Sequence, residues 1–183
     1  MDAKQVLKAG FGSVQRGTDR VLDGLTDIEL HWQPRPDANS IALILFHMAH
    51  SEDSFVHHWM QQKPKIWESE KWFEKLGKER TDTGGHYTAE QVGHFRISDI
   101  KDVKAYGAAV RQKSLAFLEE MTAEKLDLKV VPPIPAGTPG AARPNPFPFE
   151  PTIGSLLILT VTHLSQHVGE ISYLRGLQRG MDK

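Results

Sequence analysis

The 183-residue chain contains no cysteine. A disulfide framework, thiolate metal ligands and a cysteine nucleophile are therefore excluded. The absence fits a reducing compartment. There is no excess of either charge: 22 Lys and Arg stand against 23 Asp and Glu, a net charge of −1. Nucleic-acid binders carry a basic excess, so no nucleic acid is expected as partner. Long apolar runs are also missing. The most apolar stretch, IGSLLILTV, is about half the length a membrane helix needs, and the N-terminal residues hold no apolar signal core. The expectation is a cytoplasmic protein without a membrane partner. No Gly-rich phosphate loop, Ser-His-Asp order or heptad seam is present, and no run reads as a β-strand.

What is present is helical period. Hydrophobic residues at 39% and charged residues at 25% permit a packed core and argue against disorder. Leu7, Phe11, Val14, Thr18, Val21, Leu22 and Leu25 recur at three or four. Pro34 and Pro36 then interrupt. Asn39 or Ser40 is placed to cap a second helix, IALILFHMAHSEDSFVHHWMQQ, which Pro64 ends. A third helix is expected over 99–121, and a fourth from an N-cap at Thr152 to about residue 177. Two connections are long. Residues 63–98 hold IWESEKWFEKLG, read as a short helix, then the turn-rich TDTGGHY and another helical turn. Residues 129–151 hold eight of the eleven prolines and read as an ordered loop anchored by Ile134, Phe147 and Phe149. Residues 1–183 are thus expected to form a single all-α domain, a four-helix bundle with two long crossover connections.

Nine histidines are a mild excess. His163 and His167 lie four apart on the fourth helix, a spacing that lets two imidazoles grip one divalent ion. Chance alone would give roughly 0.4 such pairs, and HLSQH lacks the Glu of the zinc-protease motif. Position adds more. At about 100° per residue His167 lies about 40° and Glu170 about 20° from His163, on the face of Leu156, Leu159 and Leu174. Two readings stand for this pair: interior imidazoles bonded to backbone or to each other, or ligands of one metal ion. The second helix offers a third ligand. His47 lies at the edge of its apolar arc and His50 one turn on, with His47 nearer the core.

His50, His57 and His58 otherwise read as surface or pocket-rim residues. His31, His86 and His94 lie in connections and carry no expected role. Glu52, inside an apolar arc, reads as a buried carboxylate paired with an arginine or capping a backbone group, the other reading being an acceptor behind a metal ligand. Arg175 reads as the partner of a carboxylate. Glu170 is placed to orient a ligand histidine or a reacting group. The four tryptophans read as core and loop anchors.

The stretches GLTDIELHWQPRPDANSIALILFHMAHSED, WFEKLG, AYGAAVRQKSLAFL with LDLKV, and TIGSLLILTVTHLSQHVGEISYLRGL cover most of the chain in order. Together they resemble the DinB-like (DinB/YfiT-like) superfamily of metal-dependent enzymes. The resemblance implies an up-down-down-up four-helix bundle whose parallel second and third helices require the long 63–98 connection. It implies a divalent metal, nickel or zinc, on His47, His163 and His167, and homodimers are common among relatives. Relatives often carry Gln where this chain has Glu170. Characterised members include mycothiol- and bacillithiol-dependent isomerases and transferases. The expected function is a metal-dependent enzyme of thiol-dependent transferase or isomerase type, or a hydrolase, acting on a small molecule with a low-molecular-weight thiol as co-reactant. Glu170 is the candidate catalytic side chain. The alternative is a non-catalytic ligand-binding or stress-response module with a residual metal site. The Pro-rich 129–151 loop is expected to help wall the pocket.

Overall fold

The computed structural model describes residues 2–131 and 150–180. Among these the regular structure is helical, apart from one isolated antiparallel bridge between Lys129 and Thr152. The elements are α1 (Ala3–Leu22), α2 (Asp27–His31), α3 (Ile41–Glu52), α4 (Ile66–Ser69), α5 (Trp72–Lys75), α6 (Ala89–His94), α7 (Ile100–Glu119), α8 (Ala123–Leu126) and α9 (Ile153–Arg179). A π-helical segment, Asp53–Met60, continues α3 without a break. No described helix is long and apolar enough to cross a membrane.

Caps explain where the long helices start. The Asp2 side chain accepts from the Gln5 backbone N–H, and the Gln5 side chain reaches back to the Asp2 N–H. Ser40 rather than Asn39 caps α3, accepting from the Leu43 N–H. Asp99 caps α7, and Thr152 forms a reciprocal box with Ser155 at the start of α9. Each cap satisfies a backbone donor that the helix itself leaves unpaired. Replacing such a cap with Ala costs about 1 kcal/mol.

Three differences from the sequence reading have physical reasons. The helix expected over 41–62 is α-helical only to Glu52, and the wider π register begins at Asp53, whose carboxylate is drawn inward by four donors. IWESEKWFEKLG forms two short helices, with Lys71 between them in the left-handed region at φ 54°. Trp67 and Trp72 are five apart, about 140° on a straight helix. The break lets both bury, at 1% and 8% exposure. Arg175 meets no carboxylate among the described residues. Its guanidinium donates to the carbonyls of Val21 at 3.0 Å and Asp23 at 2.6 Å, where a cation satisfies the C-terminal end of α1. The anchors expected at Ile134, Phe147 and Phe149 lie outside the described residues.

The long helices pack pairwise around one core that includes Phe11, Phe46, Tyr106, Leu118, Leu156 and Ile171, all essentially inaccessible. Burying side chains of this size contributes about 1.5–3 kcal/mol each. α1 approaches α9 closely: a Cβ added at Gly10 would stand 2.9 Å from Val161, and one at Gly17 3.0 Å from Val168. α1 meets α7 where Arg111 donates to the Phe11 carbonyl and Lys4 to the Glu119 carbonyl. α3 meets α7 through Glu52, which receives two bonds from Arg111 at 2.8 and 2.7 Å. That is the arginine partner expected for this buried carboxylate. α3 meets α9 where the histidines face one another.

Candidate metal centre

His47 and Ser51 are one turn apart on α3, and His163, His167 and Glu170 follow one another along α9. Both stripes point into the α3–α9 interface, so three imidazoles converge. One ligand atom from each of His47, His163 and His167 lies within 4.8 Å of the other two. The Nε2 atoms of His163 and His167 are 3.2 Å apart. The Ser51 hydroxyl sits between the remaining edges, 3.2 Å from His47 Nε2 and 3.3 Å from His163 Nε2. All three rings are half-buried.

The outer nitrogens settle the tautomers. His47 Nδ1–H donates to the Gly84 carbonyl at 2.8 Å, which leaves its Nε2 lone pair facing the cluster. His167 Nδ1 is 2.7 Å from the Glu170 carboxylate, with the same consequence. The short His163–His167 contact then needs a proton from His163 Nε2. A cation at the centre would displace that proton, and His163 would carry its hydrogen on Nδ1 instead. Burial, then the neighbouring His167 and His47, hold the His163 imidazolium pKa down at about 4. Burial likewise lowers His47, against the opposing Gly84 hydrogen bond. Both rings are therefore neutral at physiological pH, the state a ligand requires. Three uncharged imidazole donors suit zinc, nickel, copper or iron, and they leave the full charge of the ion uncompensated.

Gly84 is the support the sequence reading missed. Its φ of +70° favours glycine, and a Cβ there would come within 2.6 Å of His50. The turn-rich TDTGGHY was a legible signal, but only the fold shows that its carbonyl meets His47. Ser51 was also missed, although its spacing from His47 repeats that of His163 and His167.

The other histidines separate clearly. His50 is completely buried, not at a rim, packed between Phe46, Trp67 and Tyr106 with ring centroids 4.5, 4.3 and 5.3 Å away. His57 is buried too, with Nδ1 3.0 Å from Asp53. Both face inward because α4 and α7 cover this side of the helix, which periodicity along one helix cannot reveal. His58 is half-buried and lines a cleft, as a rim residue does. His31 and His94 bond to backbone carbonyls one turn back. His86, left-handed at φ 60°, lines the clefts on both sides of the His47 support.

The cluster opens into a cleft of about 1100 Å³, to which His47, Ser51 and His163 contribute one wall. A second cleft of about 230 Å³ reaches His47 and His167 from the other side of Gly84 and Gly85. The sequence profile of the DinB superfamily matches residues 11–171, a span that holds all three histidines and Glu170. The chain belongs to the DinB superfamily. No protein of curated function matches this DinB-superfamily chain significantly. Among solved structures, the crystal structure of a conserved protein from Enterococcus faecalis superimposes with a TM-score of 0.78. The alignment covers 97% of each chain at 18% identity, and the likeness concerns the fold.

Proposed function

We propose that this DinB-superfamily protein is a metal-dependent enzyme whose divalent ion, nickel or zinc, is held by His47, His163 and His167. The observation that carries the reading is the convergence of three imidazoles, within 4.8 Å, at the wall of a large cleft. Three protein ligands leave positions for exchangeable groups, as catalytic sites do. When bound, such an ion supplies Lewis acidity that polarises a carbonyl or acidifies a thiol or water.

The chain's own residues have distinct tasks. The Gly84 carbonyl and the Glu170 carboxylate hold His47 and His167 in their ligating tautomers. Ser51 can donate to a group bound beside His47 and His163. Glu170, half-exposed, is placed to accept a proton released at the centre. With no cysteine in the chain, a thiol co-reactant must come from solution. The reaction in this reading is thiol-dependent transfer or isomerisation, with hydrolysis as the competing outcome.

The reading includes an up-down-down-up bundle. Its support is the order of contacts: residues 10 and 17 of α1 meet 161 and 168 of α9 in parallel register, whereas residue 4 of α1 meets the end of α7 and residue 11 meets residue 111. Ser51 meeting His163 while His47 meets His167 makes α3 and α9 antiparallel. It also includes a homodimer, for which the exposed Ile158 and Tyr173 of α9 offer apolar surface.

Elemental analysis of wild type and of His163→Ala, purified identically, tests the centre. Near-stoichiometric metal in the first and none in the second is expected; equal content would reject it. Turnover of electrophiles by the zinc- or nickel-loaded protein, with and without added thiols, then separates transfer from hydrolysis.

A further inference from the structure

The cleft beside the histidine cluster has a chemical polarity of its own. Leading away from the cluster, the Phe55 ring lies 5.6 Å from His163, and Trp59 follows 4.9 Å from Phe55. These two half-buried rings and Pro64 make one apolar wall. The same cleft is also lined by two cationic side chains, Lys63 and Lys65. Glu68 is the one carboxylate among the described lining residues, and it is already engaged by Arg80 at 3.5 Å. Lys63 donates to the neutral Gln61 amide at 2.9 Å, and among the described residues neither lysine has a carboxylate within salt-bridge distance.

The volume of about 1100 Å³ is enough for a ligand of tens of atoms rather than for water or a small ion alone. A neutral apolar molecule would use the aromatic wall and make no use of the two ammonium groups. An anion with an apolar body would satisfy both, and low-dielectric walls on one side strengthen the attraction.

We infer that the cleft binds an amphiphilic organic anion, its flat or aliphatic body on Phe55 and its carboxylate or phosphate at Lys63 and Lys65. Calling this anion the substrate rests on the catalytic reading of the cluster; the binding itself does not.

The probes are 2-naphthoate, 2-naphthyl phosphate and 2-naphthylmethanol, which share one body and differ in charge. Affinities are measured by titration calorimetry for the full chain, both zinc-loaded and stripped of metal. Wild type should bind at least one anion about tenfold tighter than the alcohol, and 0.5 M NaCl should narrow the gap. The doubly substituted Lys63→Gln, Lys65→Gln protein, with thermal stability unchanged, should lose this preference while binding the alcohol as before. Phe55→Ala should weaken all three probes alike. Which anion binds tighter identifies the head group.

The metal-free arm keeps a carboxylate from being credited to the lysines when an ion at the cluster holds it. Equal affinity for alcohol and anions, an anion preference that survives the double substitution, or no binding of any probe would overturn the inference. A lysine-dependent preference in a protein that takes up no zinc would sustain it while rejecting the metal centre.

Discussion

Two histidine clusters share the segment from α3 into the π-helical turn, and their chemistry diverges. His47, with His163 and His167 from α9, keeps its lone pair directed into a shared space beside a cleft. One turn along, His50, His57 and Asp53 are sealed under α4 and α7. Asp53 accepts from the backbone of Ile66 at 2.8 Å and Trp67 at 2.9 Å, from Tyr106 at 2.8 Å and from His57 at 3.0 Å. Burial pushes its carboxyl upward, but these four donors outweigh burial and leave it below the ordinary range. The same residue type thus serves two ends. Imidazoles whose Nε2 atoms converge at a cleft, bonded there only to one another and to Ser51, are equipped for a ligand, and a carboxylate with every lone pair used is equipped to fasten α4 and α7 to the helix.

Breaking the fastening should have the largest effect. Asp53→Ala strands two backbone N–H groups and a tyrosine hydroxyl in a dry interior, at about 1–3 kcal/mol for each group left without a partner. A loss of roughly 4 kcal/mol is expected, read by urea denaturation. Metal uptake by the fraction still folded should stay near wild type. A loss below about 1 kcal/mol would show that the cluster does not fasten the fold.

Breaking the cleft-side cluster should invert that pattern. His167→Ala should reduce zinc affinity by more than about 100-fold, with the metal-free denaturation midpoint nearly unchanged. Competition with a chromophoric chelator reads the affinity. Gly84→Ala links the two regions, since its new Cβ would collide with His50 while its carbonyl holds His47. It should cost about 2 kcal/mol of stability and weaken metal binding in the same variant. Retention of both would mean that the turn does not position His47.

Acid sharpens the comparison further. Burial, and then the Lys65 charge, lowers His50 to about 3, and burial lowers His163 to about 4. Both folded values lie below the unfolded value near 6.5, so the unfolded chain binds more protons between them. Their stabilising effect is complete above about pH 6.5 and is lost as pH falls toward about 4. His50→Phe should reduce the slope of stability against pH by about one proton, or about 1.4 kcal/mol per pH unit. An unchanged slope between pH 6.5 and 4.5 would show that His50 titrates normally. The smallest effect is expected for Glu170→Gln. Gln can still accept from His167 Nδ1 but carries no charge, so affinity should fall about tenfold without loss of fold.

The four long helices were legible because local signals agree. Ser40, Asp99 and Thr152 cap where period begins, and the structure starts α3, α7 and α9 one residue after each. His163, His167 and Glu170 were legible as one stripe because helical geometry alone places them together. His47 was separable from His50 only by its place on the arc, and the structure brings His47 to the α9 pair. The π register at Asp53 was not legible, since it follows from donors that arrive from α4 and α7. Nor was the depth of His50 and His57, because the elements covering them are remote in sequence.

Sequence by itself determined the helical class, the helix starts and the one-turn spacing that pairs His163 with His167. Each is set by interactions within a few residues along the chain. The tertiary structure alone decided which histidines share a space, which lysines line the cleft, that Gly84 turns a carbonyl onto His47 and that Arg175 caps α1. Those depend on groups brought together from distant positions, where burial and partner geometry, not local propensity, decide what each imidazole meets.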